Sequence, residues 1–428
     1  MKTRLLYSAL LGFLLMPILT YAEIQFSDYF SDKTLRFDFI LAGNHETTLV
    51  YPQQTLQEPF WAGSKVNLTG QPDYGTYRFR VTDMESGQLI FRMGFATLFQ
   101  EWQTTAEAKK MDRAFYQSVR FPFPLKPVQL LIEHRNWQGN FDIVYETTID
   151  PEDYFIRKEN SSEPDLTSII NSGDPSVKVD LVFLSEGYSA GEREKFIADA
   201  KAMTDYLFSV APFDSNRDHF NVSALFTPSL ESGTDIPGRN IYRNTKFNST
   251  FYTFDIDRYL TTSDMLSVYD ALTAVPWDHN FILVNSSQYG GGGFYNFLGI
   301  TTTDHYLSKK VMVHEFGHSF AGLGDEYYDS EVAYENFYNL EVEPWEPNIT
   351  TMVNFESKWK DMLPAGIPVP TPREERFKNS VGVFEGGGYM SKGIFSPVMD
   401  CRMKSNAPDE FCPVCQRAIQ RVIELYTQ

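Results

Sequence analysis

The stretch Ser308-Lys-Lys-Val-Met-Val-His-Glu-Phe-Gly-His-Ser-Phe-Ala-Gly-Leu-Gly-Asp-Glu-Tyr327 decides how the rest of the chain is read. Its spacing predicts a helix. Val311, Met312, Phe316 and Phe320 can supply one buried stripe, and Ser308 stands where an N-cap would. Gly322 follows, where a chain reversal is sterically cheap. On such a helix His314 and His318 share a face, with Cβ atoms ~5–6 Å apart. Both imidazoles can then reach one Zn²⁺ at ~2.0–2.1 Å. Glu315 projects beside them, where it can hold a water. His-Glu-x-x-His on a helix is a signature of zinc metalloproteases. Two ordinary surface histidines would also satisfy the bare pattern. Against that, two of only seven histidines fall in it, and Asp325-Glu326 follows the expected bend.

A zinc hydrolase keeps three protein ligands and one open position. In the metzincin pattern the third ligand comes three residues after a glycine beyond the helix. Asp325 lies at that step from Gly322, so it is the expected third ligand, with Glu326 as the alternative. The unchosen acid is expected to orient a histidine.

Working outward, the chain has 428 residues, a length that favours two or three domains at roughly 150 residues each. Apolar content of 42% excludes a mainly disordered chain, and 37 Lys+Arg against 56 Asp+Glu makes a surface that repels nucleic-acid phosphates. Residues 1–22 read as a secretory signal peptide. Lys2 and Arg4 lead, Leu5 to Leu19 is apolar but shorter than the ~20 residues of a spanning helix, and Thr20-Tyr21-Ala22 offers a cleavage site. The expected protein is therefore exported (periplasmic, cell-surface or secreted), with no membrane span in its mature form.

Residues 23–157 read as an antiparallel β-sandwich. Alternating runs such as Leu35 to Ile40, Gly75 to Val81 and Val128 to Glu133 are separated by turn formers, with Ala106 to Phe115 more helical. Its Trp61, Trp102 and Trp137 read as sandwich core rather than a carbohydrate platform. Residues 158–176, polar and rich in turn formers, read as a linker. From 177 to 428 strands (Val179 to Leu184, Phe220 to Phe226, Asn280 to Val284) alternate with helices (Glu192 to Phe208, Leu266 to Leu272, Gln416 to Tyr426), the mark of an α/β domain.

Three supporting segments stand out. Gly290 to Gly293 suits either an edge strand pairing with an extended substrate or a flexible hairpin tip. Tyr389 is a candidate hydrogen-bond donor to the oxyanion. The three cysteines, Cys401, Cys412 and Cys415, are too few for a disulfide scaffold. No further ligands for a zinc knuckle lie nearby in sequence, so a structural disulfide, Cys401–Cys412, is expected.

The block His314 to Tyr327 closely resembles the IgA peptidase family of bacterial zinc metallopeptidases. The likeness extends to Leu184-Ser-Glu-Gly-Tyr188, Cys401-Arg402-Met403 and Phe411-Cys-Pro-Val-Cys415, and to Phe99-Gln-Glu-Trp102 and Arg113-Ala-Phe115 in the N-terminal part. The resemblance implies an N-terminal β-sandwich and a metzincin-like catalytic domain. It also implies Zn²⁺ held by His314, His318 and Asp325, with Glu315 as catalyst. By the same resemblance Met403, with Met399 as runner-up, is the methionine beneath the metal. The function expected is an exported zinc endopeptidase acting on proteins or peptides, host or mucosal glycoproteins among them. The alternatives are a zinc amidase or aminopeptidase, or a surface binding protein with a vestigial site.

Overall fold

A computed structural model describes residues 24–159, 163–328 and 337–428. The expected signal peptide lies outside the described residues. No helix among them is long and apolar enough to cross a membrane.

The N-terminal region is built from two four-stranded sheets. After a single helical turn, α1 (Phe26–Tyr29), one sheet contains β1 (Phe30–Gly43) and β2 (Thr48–Glu58). The other contains β3 (Tyr77–Asp83) and β4 (Leu89–Phe95). Helix α2 (Leu98–Gln103) precedes β5 (Arg113–Pro124), β6 (Val128–Arg135), β7 (Phe141–Ile149) and the two-residue β8 (Arg157–Lys158). The sheet orders are β5-β1-β2-β8 and β4-β3-β6-β7. In β3 alternate residues Tyr77, Phe79, Val81 and Asp83 are buried, the period-2 signature of a strand with one face on a core. Aromatic rings join the sheets: Phe121 of β5 lies 6.1 Å from Phe79 and 6.3 Å from Phe91, and Phe37 lies 6.0 Å from Tyr145. Trp102 is fully buried, whereas Trp137 is exposed.

One local expectation fails here. Residues 106–110 form turns rather than a helix, and Arg113 already begins β5. The helix is α2, just upstream, because the Thr97 hydroxyl caps it by accepting the Gln100 amide at 3.0 Å.

The C-terminal region carries a six-stranded sheet in the order β13-β14-β12-β10-β11-β9. Its strands are β9 (Leu166–Ile170), β10 (Val179–Glu186), β11 (Phe220–Leu225), β12 (His279–Val284), β13 (Gly291–Phe294) and β14 (Leu298–Thr302). The inner four run parallel, while β9 and β13 pair antiparallel at the two edges. Every residue of β10 is buried, as a strand covered on both faces requires. The segment read as a linker is therefore divided. Lys158 still belongs to β8, and Leu166–Ile170 closes the outer edge of β11.

One face of this sheet, through Leu181, Phe183, Phe281 and Leu283, packs on α3 (Arg193–Leu207), α5 (Ser308–Ala321) and α6 (Pro413–Tyr426). The other face, through Val182, Leu184, Ile282 and Val284, packs with α4 (Met265–Leu272). It shares one continuous core with the N-terminal sheets. A buried Arg36–Asp38 pair at 2.8 Å reaches Asp270 of α4 at 2.9 Å, and the Arg120 guanidinium lies 3.9 Å from the Trp277 ring centre. A last hairpin, β15 (Phe384–Gly387) and β16 (Met390–Ser396), turns at Gly388-Tyr389.

Candidate active site

Helix α5 begins one residue differently from the expectation. Leu307 is the N-cap, and Ser308 is the first helical residue, its hydroxyl 3.3 Å from that of Thr302. Val311, Met312, Phe316 and Phe320 are buried against the sheet. This turns the half-buried His314, Glu315 and His318 toward a cleft. The helix stops at Gly322, φ +62°, whose amide bonds His318 O while the Leu323 amide bonds Gly317 O. That reversal brings Asp325 back beside the two histidines.

Three atoms then form a near-equilateral triangle. His314 Nε2 and His318 Nε2 are 3.1 Å apart, and Asp325 Oδ1 lies 3.2 and 3.3 Å from them. A tetrahedral ion bound at 2.0–2.1 Å separates its ligand atoms by about 3.3–3.4 Å, so the triangle has the size of one face of such a shell. Each Nδ1 faces a backbone carbonyl, His314 that of Arg402 at 2.9 Å and His318 that of Leu323. A carbonyl only accepts, so each Nδ1 carries the proton and each Nε2 presents its lone pair inward. Asp325 Oδ1 is buried without a well-aligned donor, and Oδ2 accepts the Tyr389 hydroxyl at 2.8 Å.

The electrostatics of this pocket favour positive charge at its centre. Burial would raise the Asp325 carboxyl, but the two imidazoles overcome it and hold the group well below the carboxylate range. Burial would likewise lower His318, but Asp325 and Glu315 pull it up to about 9. Glu315 is raised by burial, against the opposing pull of both histidines. Two imidazole nitrogens and a carboxylate converging on one point fit a divalent metal ion, which would take the place of the proton these acids otherwise hold on His318.

The model of the IgA Peptidase M64 family matches residues 167–379 and 373–423, and that of the Peptidase M64 N-terminus matches residues 25–146. The chain belongs to the IgA peptidase M64 family. It is a metallopeptidase, a hydrolase acting on peptide bonds. Among curated proteins none matches the chain.

The cleft of this M64 peptidase has a volume of about 300 Å³ and draws its walls from both regions. Gln100 and Glu101 come from the N-terminal side, and the Tyr259 hydroxyl donates to Glu101 across the junction. The glycine run is the edge strand β13, not a hairpin tip. It must be glycine because α5 lies against it: a Cβ on Gly293 would sit 2.4 Å from Glu315 O, and one on Gly291 3.0 Å from Glu315 Oε1. The outer edge of β13 is already bridged at Gly291 by Tyr259.

Tyr389 occupies the tip of the β15–β16 hairpin. Gly388 and Tyr389 both have positive φ, +55° and +65°, as a two-residue type I′ turn demands. Their amides bond Asp325 O and Tyr327 O, which docks the tip on the segment after α5. Met403 is fully buried beneath α5, its sulfur 2.9 Å from where a Gly317 Cβ would stand, whereas Met399 is half-buried. Glu326 points away from the triangle, accepting from Asn348 at 2.9 Å. The expected Cys401–Cys412 disulfide is absent. All three thiols are free, and the sulfurs of Cys401 and Cys415 are 3.8 Å apart. The carbonyls of Leu323 and Arg402 escaped sequence reading because backbone atoms carry no residue-type signal.

Proposed function

We propose that this M64 peptidase is an exported zinc-dependent endopeptidase with a metzincin-like catalytic domain and an N-terminal β-sandwich that contributes to the substrate cleft. The observation that carries the reading is the triangle of His314 Nε2, His318 Nε2 and Asp325 Oδ1, with edges of 3.1–3.3 Å and Glu315 at its side. Zinc held there would supply Lewis acidity, making a water a stronger acid and a peptide carbonyl a better electrophile. Glu315 accepts the attacking water's proton and returns it to the leaving amine, and the raised carboxyl suits both transfers. The Arg402 and Leu323 carbonyls hold the imidazoles in the tautomer that faces inward. Tyr389 steadies Asp325, and its hydroxyl is free to serve a developing oxyanion only after leaving that carboxylate. The substrate class is protein or peptide, host or mucosal glycoproteins among the candidates.

The test is cleavage-site profiling of a complex peptide library with wild type beside Glu315→Ala. Wild type is expected to cut internal bonds, with turnover in the variant falling by about 10²–10⁴ or more while zinc content is unchanged. Terminal trimming alone in wild type, or full activity in the variant, overturns the reading.

A further inference from the structure

Behind the catalytic triangle lies a second convergence of metal-ligating groups. Cys401, Cys412, Cys415 and Glu326 are all buried, and each offers one ligand atom within 4.8 Å of all the others. The Sγ atoms of Cys401 and Cys415 are 3.8 Å apart, and Cys415 Sγ lies 3.3 Å from Glu326 Oε1. Two thiolates on a tetrahedral zinc at about 2.3 Å stand about 3.8 Å apart, whereas disulfide sulfurs stand at about 2.05 Å. A disulfide would use two of these thiols and leave the third, with a carboxylate, stranded in the core. Glu326 Oε2 is fully buried and has no hydrogen-bond partner.

We propose that Glu326, Cys401, Cys412 and Cys415 form a second, structural metal site for zinc or a similarly thiophilic divalent ion. Four buried protein ligands leave no open position, which is the mark of a structural rather than a catalytic centre. Three thiols and a carboxylate select a soft or borderline ion over Mg²⁺ or Ca²⁺. Binding displaces the thiol protons to solvent and changes no oxidation state. Two features offset the resulting negative charge. Cys412 caps the N-terminus of α6 and Cys415 lies in its first turn, where the helix dipole favours anions. Arg402, fully buried, places a positive charge within electrostatic reach of Cys401.

The position gives the site a purpose. Glu326 follows Asp325, and its amide donates to Met403 O at 2.8 Å. Cys401 precedes Arg402, whose carbonyl holds His314. One ion would thus tie the ligand segment, the turn under the metal helix and the start of α6 together.

The experiment is elemental analysis of zinc-loaded, desalted protein, in wild type, His314→Ala/His318→Ala and Cys415→Ser. We expect two zinc equivalents in wild type and one in the histidine double variant. After cobalt exchange that variant should show a thiolate-to-cobalt charge-transfer band in the near ultraviolet. Cys415→Ser should lose the second equivalent, and if it does not fold the histidine variant decides alone. A folded histidine variant without metal overturns the proposal, as does a disulfide among the three cysteines in mass mapping of unreduced protein. Loss of the catalytic reading would instead appear as one equivalent in wild type that persists in the histidine variant with its cobalt–thiolate band.

Discussion

The Tyr389 hydroxyl donates to Oδ2 of Asp325 at 2.8 Å while Oδ1 of the same carboxylate faces both imidazoles. A group that fixes a ligand from behind governs metal affinity; a group that meets the substrate governs turnover. Tyr389→Phe is therefore expected to weaken zinc binding by about 10–100-fold, measured by chelator competition. Unchanged affinity with a fall in kcat alone would assign Tyr389 to the oxyanion instead.

Asp325→Asn replaces the anionic corner of the triangle by a neutral amide. Half of such an amide is a donor, which repels a cation. The variant should lose the catalytic metal equivalent and all peptidase activity, with its circular dichroism unchanged. Retained metal and activity would move the third-ligand role elsewhere.

Gly293→Ala tests the contact between β13 and α5. The new Cβ would meet backbone, Glu315 O at 2.4 Å, which no side-chain rotation relieves. A loss of about 1–3 kcal/mol is expected in denaturant unfolding, together with reduced activity as Glu315 shifts. Gly191→Ala is the control for backbone entropy, since nothing lies within 4 Å of the added carbon and its φ is not in the left-handed region.

Asp180 and Asp278 provide a pH test remote from the cleft. Burial raises the Asp180 carboxyl, whose Oδ2 is unpartnered, and Asp278 is raised by burial and by Asp180. The folded chain thus holds its proton to higher pH than the unfolded chain, which releases it near pH 4. The stabilisation is fully present below that range and is lost as pH rises through the raised value. Asp180→Asn should then exceed wild type in stability at pH 8 by on the order of 1 kcal/mol, the difference vanishing near pH 4. Parallel melting curves at both pH values check it.

The helix of His314 and His318 and its stop at Gly322 were legible because they are local. The stripe that buries one face, the four-residue step and the glycine all act within a few turns. The strands β1, β3, β6, β10, β11 and β12 were legible for the same reason. Residues 106–110 misled because their propensity competes with a cap at Thr97 that the periodicity does not register. Leu166–Ile170 was hidden among polar neighbours, since only the open edge of β11 makes it a strand.

By itself, then, the sequence determined the strands with clear periodicity, the two imidazoles with Glu315 on one helix face, and the acid that follows the bend. Tertiary structure decided everything that depends on distant segments meeting. It carried Tyr389 to Asp325 on a hairpin tip, set the Arg402 carbonyl behind His314, and pressed the glycines of β13 against α5. It also turned Glu326 away from the histidines toward three cysteines that follow far down the chain. Helix spacing is encoded by neighbours, whereas a ligand's outer partners are chosen by packing, and packing is a property of the whole chain.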